Sequence, residues 1–194
     1  MLVLLVLAAL VTASCIAACT RRLYFATHAV AIHPAVWLAR VRRGEGDVVA
    51  RAAERIPAAS WERDLLAALA EPDETVRAGR VNEQLSELDF LLGRWARVPR
   101  VCASIASSAG FLFGSLAVRF GLVALQNVSE EASHDAINAV ILQAVNVAVL
   151  GMAGASFAIA VQYRARKAAL AYAQAADALV DALEKSAGKT RATD

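Results

Sequence analysis

Three long runs of apolar residues divide the chain, and the segments between them are polar and charged. Residues 1–20 and 136–163 hold no formally charged side chain, and residues 101–125 hold only Arg119. Each run is long enough to cross a hydrocarbon core of about 30 Å as a helix. Because a backbone in lipid must satisfy its own hydrogen bonds, the runs predict a three-span, all-α membrane protein.

The segments outside the runs are amphipathic. In 21–100, Asp47 and Ser60 are placed as N-caps of two short helices. A third helix is expected from about Glu74 to Val98, since its apolar residues recur at spacings of three and four. Those residues are Val81, Leu85, Leu88, Leu92 and Trp95. A further helix is expected in 164–194, with Leu179, Val180 and Leu183 on one side and Asp177, Asp181 and Glu184 on the other.

Positive charge is distributed unevenly along the chain. Of the 20 Lys and Arg residues, 13 lie in 21–100 and six in 164–194, whereas the short segment 126–135 has none. Basic loops stay on the cytoplasmic side of a membrane. The charges therefore predict an external N-terminus, an external loop at 126–135 and a cytoplasmic C-terminus, with long helices that extend into a cytoplasmic helical domain.

Composition agrees with a membrane protein and gives no reason to expect an enzyme. The chain is 58% hydrophobic, with a mean hydropathy of +0.48, which is too apolar for an ordinary soluble domain. It contains no nucleotide-binding loop and no Ser/His/Asp set, so no catalytic residue is expected. The net charge of +2 comes from basic residues that flank the spans and does not indicate nucleic-acid binding. The cysteines and histidines lack metal-ligand spacing, so no metal or cofactor is expected.

An alternative interpretation of the N-terminus is a lipoprotein signal. The sequence "IAAC" at 16–19 resembles a bacterial lipoprotein cleavage box, which would place a lipid on Cys19. The preceding stretch has no basic segment, and Arg21 and Arg22 follow directly. Both features favour a membrane span over a cleaved signal.

A helical projection at 100° per residue divides the second run into faces. Its polar face consists of Ser104, Ser108, Ser115 and Arg119. Gly110, Gly114 and Gly121 occupy another narrow sector, and the Gly110/Gly114 pair favours close approach of a neighbouring helix. A third, bulky sector that includes Leu112 suits lipid. The serines either line the polar interior of a bundle or oligomer, or bond back to their own backbone.

Two amides and one arginine within the runs are candidate pathway residues. Gln143 and Asn146 belong to the third run, where amides are expensive unless a helix or water meets them. Asn146, near the middle of that run, either lines a pathway or forms an interhelical hydrogen bond. Arg119 either reaches the headgroups at the outer edge of the membrane, or forms a ring of cations at a pore mouth in an oligomer.

The order of these segments resembles the MotA/TolQ/ExbB proton-channel family, and more closely its TolQ/ExbB branch. "IPAASWERDLLAAL" is similar to the family's cytoplasmic segment before the second span. "VNEQLSELDFLLGRWARVPRVCASIASSAGFLFGSLAV" is similar to the helix that enters the membrane, and "AINAVILQAVNVAVLGMAGASFAIAVQYRARKAALAY" to the third span and its exit helix. The resemblance covers most of residues 50–185.

The resemblance implies a function that composition alone does not. Such proteins form pentamers in the bacterial inner membrane around an ExbD/TolR/MotB-like single-span partner, and proton flow through the complex drives work or transport at the cell envelope. The partner supplies the essential aspartate. Ser115 falls where the family's second-span threonine falls. The proton-pathway candidates are therefore Ser115, together with Gln143, Asn146 and Arg119, which the residues of the apolar runs themselves suggest. The alternatives are a non-conducting structural subunit of such a complex, and a membrane-anchored scaffold or lipoprotein.

Overall fold

A computed structural model of the chain describes residues 2–125 and 130–191, and every regular element in these residues is an α-helix. The expected all-α class is therefore confirmed. The helices are α1 (Leu2–Thr27), α2 (Pro34–Arg42), α3 (Gly46–Arg55), α4 (Ser60–Leu69), α5 (Glu74–Gly93), α6 (Val98–Leu125) and α7 (Glu130–Arg191). Three helical stretches in the described residues, in α1, α6 and α7, are long and apolar enough to cross a membrane.

The helices extend beyond the apolar runs that predict them. Helix α1 continues past residue 20 through both arginines to Thr27. Helix α7 begins at Glu130 and runs for 62 residues, so the second half of the expected loop at 126–135 is helical. The first part of that loop, 126–129, lies outside the described residues. Backbone hydrogen bonding within a helix does not stop where hydrophobicity stops, which is why composition alone misplaces these ends.

The chain divides into two compact units. The first, here called the span unit, consists of Met1–Leu23 and Trp95–Arg164. The second unit consists of Tyr24–Arg94 and Ala165–Asp194. The span unit contains the candidate membrane helices, and the second unit contains the amphipathic ones.

Small residues fill the core of the span unit. Cys15 and Cys19 of α1 pack with Cys102 and Ala106 of α6 and with Ala158 of α7. All three cysteines are buried free thiols. Side chains of this size let three helices approach closely, which is the usual way in which helices associate where no water drives them together.

The core of the second unit is built from larger side chains. Trp37, Leu65, Leu88 and Leu179 come from four different helices and are almost completely buried. In the C-terminal part of α7, Leu179 and Val180 are buried while Asp177, Asp181 and Glu184 are exposed. The expected amphipathic helix in this segment is confirmed.

The predicted N-caps of the two short helices are wrong. Helix α3 begins at Gly46 with Glu45 at the N-cap position, and α4 begins at Ser60 with Ala59 at that position. Neither N-cap side chain accepts a hydrogen bond from the helix. In contrast, the Asp73 carboxylate caps α5 by accepting hydrogen bonds from the Thr75 and Val76 N–H groups. A capping residue type therefore shows that a helix begins nearby, but does not fix the first residue.

The third predicted helix ends earlier than its apolar spacing suggests. Helix α5 stops at Gly93, and Trp95 adopts a positive φ of 64° with 48% of its surface exposed. Val81, Leu88 and Leu92 are buried as expected, but Trp95 is not part of their stripe. Glycine is a common end point for helices, and a left-handed residue two positions later prevents the helix from continuing.

Candidate functional site

The glycine face of α6 packs against α7 of the same chain. A Cβ atom added to Gly110 would lie 2.8 Å from the Gly151 Cα atom, and one added to Gly114 would lie 3.2 Å from the Ala144 carbonyl oxygen. A Cβ atom at Gly121 would run into the Val140 side chain. The residue numbers rise along α6 while the numbers of the contacting α7 residues fall, so the two helices are antiparallel. The three glycines are therefore contacts within the span unit.

Helix α1 packs against α6 and α7 at Thr12. A Cβ atom added to Gly154 would lie 2.9 Å from the Thr12 Cγ2 atom and 3.3 Å from the Ala106 Cβ atom, so three helices meet at this glycine. The Thr12 hydroxyl donates to the Leu150 carbonyl oxygen over 3.5 Å. The sequence interpretation missed Thr12, although this residue places a hydroxyl group near the centre of an uncharged run.

The polar face of α6 points away from the other two spans. All four of its residues are exposed on the single chain, namely Ser104, Ser108, Ser115 and Arg119. The Ser115 hydroxyl donates to the Phe111 carbonyl oxygen at 2.9 Å, which is the backbone-bonding alternative. The packed interior of the span unit is formed mainly by glycine, alanine and cysteine, together with Thr12 and Val161. A polar interior lined by these serines requires another copy or another protein.

Two of the pathway candidates share one cleft. Gln143 and Asn146 line a cavity of about 130 Å³ between the three spans, with Leu2 and Leu5 of α1 and Ala117 of α6. The walls are otherwise apolar, so the two amides supply the cleft's side-chain hydrogen-bonding groups. Gln143 also borders a wider, apolar cavity of about 650 Å³ that includes Phe120 and Val140. Ser115 and Arg119 do not line either cavity.

The span helices lack the carboxylates that a proton relay commonly uses. No Asp or Glu occurs in residues 98–125 or 136–163. Apart from Arg119, the candidate residues there offer hydroxyl and amide dipoles, which orient water or a partner's polar group without taking up a proton themselves. Of the acidic residues that follow α6 in the sequence, Asp135 is exposed, and the side chains of Glu130 and Glu131 lie outside the described part.

A third cavity lies at the end of the span unit where α1 leaves its apolar run. It measures about 260 Å³ and is lined by Arg21, Arg22 and Trp95, with Ala17, Ala18 and Val98 completing its walls. The sequence interpretation treated the two arginines as topology signals and Trp95 as a core residue. Their proximity depends on the turn before α6, which the apolar spacing does not reveal.

Buried polar groups in the second unit connect its helices. The Glu62 side chain is fully buried, and its Oε1 atom accepts a hydrogen bond from the Ile32 N–H at 2.6 Å. The His33 and Tyr172 rings pack with centroids 4.0 Å apart, and the Tyr172 hydroxyl donates to the Thr27 carbonyl oxygen at 2.6 Å. Burial lowers the pKa of His33 and raises the pKa of Tyr172. These contacts tie the segment before α2 to α4 and α7.

Among the described residues, no group of three or more His, Cys, Asp or Glu side chains is arranged to hold a metal ion.

Cys19 is completely buried in the span-unit core, and Ala8, Thr12 and Cys15 before it are also buried. Cleavage at a lipoprotein box before Cys19 would remove these three residues from the packed structure.

Comparison of the chain with protein-family models, with curated proteins and with solved structures finds no match.

Proposed function

We propose that this chain is a TolQ/ExbB-like subunit of an oligomeric channel in the bacterial inner membrane. In this proposal it couples proton flow to mechanical work or transport at the cell envelope, together with an ExbD/TolR-like single-span partner. The observation that carries the proposal is the exposure of the polar face of α6 on a helix long enough to span a membrane.

Exposure of these groups has a physical cost in a bilayer. A hydroxyl, amide or guanidinium that faces hydrocarbon loses its water hydrogen bonds, so such groups normally face a bundle interior or a hydrated cavity. The contacts among the three spans of one chain are formed mainly by small residues that lie off this polar face. Neighbouring copies that turn their α6 helices toward a common axis would give Ser104, Ser108 and Ser115 a polar environment.

The absence of carboxylates in residues 98–125 and 136–163 supports a second component. If protons pass along the polar face, the group that binds them must come from another protein or from water. A partner helix that carries an aspartate supplies this group and occupies the central position. The proposed stoichiometry of five chains follows from the family resemblance.

The distribution of basic residues supports the orientation in this proposal. The segments with many arginines, 21–100 and 164–194, are placed in the cytoplasm, and 126–135 is placed outside. Helix α7 continues without interruption from the span unit into the second unit. Because α7 packs against α6 within the chain, a central partner that moves along the polar face of α6 would act on α7 through α6.

The alternative function is a structural subunit that assembles but does not conduct. The hydrogen bond from the Ser115 hydroxyl to the Phe111 carbonyl oxygen favours it, because a hydroxyl satisfied by its own helix needs no water.

Proton flux into proteoliposomes separates the two functions. The chain is reconstituted alone, and together with a co-expressed single-span protein that has an aspartate in its span. The channel proposal predicts flux only with the partner, and loss of flux when the partner's aspartate becomes asparagine. Stable complexes of the same mass that never conduct, with partner or without, would support the structural alternative.

A further inference from the structure

The cavity at the end of the span unit combines two guanidinium groups with an indole ring. Arg22 is only 4% exposed, and Arg21 and Arg22 both line the cavity. The Arg21 Cζ atom lies 5.9 Å from the centre of the Trp95 ring, at the outer limit of a cation–π contact. The site is therefore strongly basic on one side and aromatic on the other.

Within the span unit, this end carries positive charge only. At this end of the unit, basic residues lie next to all three apolar runs, namely Arg21, Arg22, Arg97, Arg100 and Arg164. The unit's carboxylates are confined to residues 130–135, beyond the opposite end of α6. The 28-residue helix α6 spans roughly 40 Å between these two ends.

The position of the cavity matches the headgroup layer of a bilayer. Arg21 and Arg22 directly follow the uncharged run of α1, and Trp95 precedes the first residue of α6 by three positions. Arginine and tryptophan are common at this boundary. Trp95 also has a φ of 64°, a conformation that a bulky residue rarely adopts and that often occurs at ligand sites.

We propose that this cavity binds a phosphate group. Guanidinium groups form paired, charge-assisted hydrogen bonds with phosphate oxygens, and basic pockets between membrane helices bind phospholipid headgroups. A volume of about 260 Å³ admits a phosphate with a short polar substituent but not an acyl chain. The phosphate belongs either to an anionic phospholipid or to a soluble phosphate. The proposal does not depend on proton conduction.

Native mass spectrometry of the detergent-purified full chain tests this site. Phosphatidylglycerol and diacylglycerol with the same acyl chains are titrated separately, since they differ in the phosphoglycerol headgroup. Phosphatidylglycerol is expected to bind, and diacylglycerol is not. Arg21→Gln should weaken phosphatidylglycerol binding roughly tenfold through loss of a charge-assisted hydrogen bond. Arg100→Gln removes the same charge from a residue that does not line the cavity, and should have little effect.

A second variant tests whether a loss of binding could come from misfolding at the buried Arg22. Arg22→Lys keeps the charge but loses the paired geometry, and should weaken binding while preserving the melting temperature.

Competition with excess inorganic phosphate identifies the source of the bound phosphate group. Unchanged phosphatidylglycerol occupancy assigns the site to a lipid, and displacement assigns it to a soluble phosphate. Equal binding by the parent, Arg21→Gln and Arg22→Lys would overturn the proposal. So would an equal loss in Arg21→Gln and Arg100→Gln, since the effect would then come from net charge.

Discussion

Gly110 of α6 and Gly151 of α7 bring two backbones into direct contact. A Cβ atom added to Gly110 would lie 2.8 Å from the Gly151 Cα atom, and one added to Gly151 would lie 2.6 Å from the Gly110 Cα atom. Real Cβ atoms do not come this close to backbone atoms, so neither position accepts a side chain without separating the helices. The two glycines therefore set the distance between the second and third spans.

Gly110→Ala is expected to destabilise the span unit. The added methyl group forces the helices apart at a backbone contact, with an overpacking cost of roughly 1–3 kcal/mol. Gly79→Ala is the matched control, because nothing lies within 4 Å of its added Cβ atom and alanine favours a helix. Thermal unfolding in detergent should show a lower melting temperature for Gly110→Ala alone. Equal melting temperatures would show that the two backbones are not in contact.

The Gly114 position gives a related expectation for assembly. The sequence interpretation assigned the Gly110/Gly114 face to close approach of a neighbouring helix, without saying which helix that is. Since the face packs on α7 of the same chain, the first effect of Gly114→Leu should be loss of monomer stability. A change in subunit mass should appear only with that loss. A stable Gly114→Leu chain with an altered oligomer would instead place this face between copies.

The fold could be predicted where the pattern depends on one helix at a time. Apolar runs predicted the three spans, and the spacing of Val81, Leu88 and Leu92 predicted their buried face. A helical projection shows that Gly110 belongs to a contact face, but not which helix lies opposite. The turn at Trp95 was not predicted, because the apolar spacing of α5 continues through the point where the backbone changes direction. The cavity beside Arg21 and Arg22 depends on that turn, and so could not be predicted either.

His33 should make the stability of the second unit depend on pH. Burial lowers the pKa of His33 below the usual histidine value of 6.5, so just below that pH the unfolded chain binds a proton that the folded chain excludes. The contribution of neutral His33 to the free energy of unfolding is complete above pH 6.5. It is lost as the pH falls toward the pKa of His33 in the folded chain. Burial raises the pKa of Tyr172 above 10.0, so its contribution is lost as the pH rises beyond that value.

His33→Asn tests the acid side of this dependence. Asparagine keeps an acceptor for the Ala35 N–H, which the His33 Nδ1 atom caps at 3.2 Å, but it cannot be protonated. The decline in the free energy of unfolding just below pH 6.5 should become shallower in this variant. His28→Asn changes an exposed histidine and should leave the decline intact. An unaltered pH profile in His33→Asn would remove His33 as its source.

The pathway candidates are expected to affect flux without affecting assembly. Ser115→Ala removes a hydroxyl from the exposed polar face, and Asn146→Leu removes an amide from the cleft between the spans. Each should reduce proton flux through the partnered complex, with the native mass unchanged. Ser107→Ala is the control on α6, since the Ser107 hydroxyl donates to the Ser104 carbonyl oxygen in the same way. Flux equal to that of the parent would exclude the altered residue from the pathway.

Arg119→Gln distinguishes a ring of charge from a side chain that reaches water. In an oligomer with the polar face inside, Arg119 places one cation per copy at the outer mouth, which repels entering cations. The leak of cations through the partnered complex should then be larger in Arg119→Gln, and this leak should depend less on the external salt concentration. If Arg119 only extends to the headgroups, conduction should stay at the parent level. A variant that assembles and conducts like the parent therefore contradicts the ring.

The water accessibility of Ser115 in the membrane tests the central claim most directly. Ser115→Cys and Leu112→Cys are compared in proteoliposomes by their rates of reaction with a charged, thiol-specific reagent, which needs a hydrated thiolate. Leu112 is 56% exposed on the same helix and belongs to the bulky sector expected to face lipid. The parent gives the background, since its three cysteines are buried. An oligomer with a hydrated polar interior predicts severalfold faster labelling at Ser115, and labelling at Ser115 no faster than at Leu112 would contradict it.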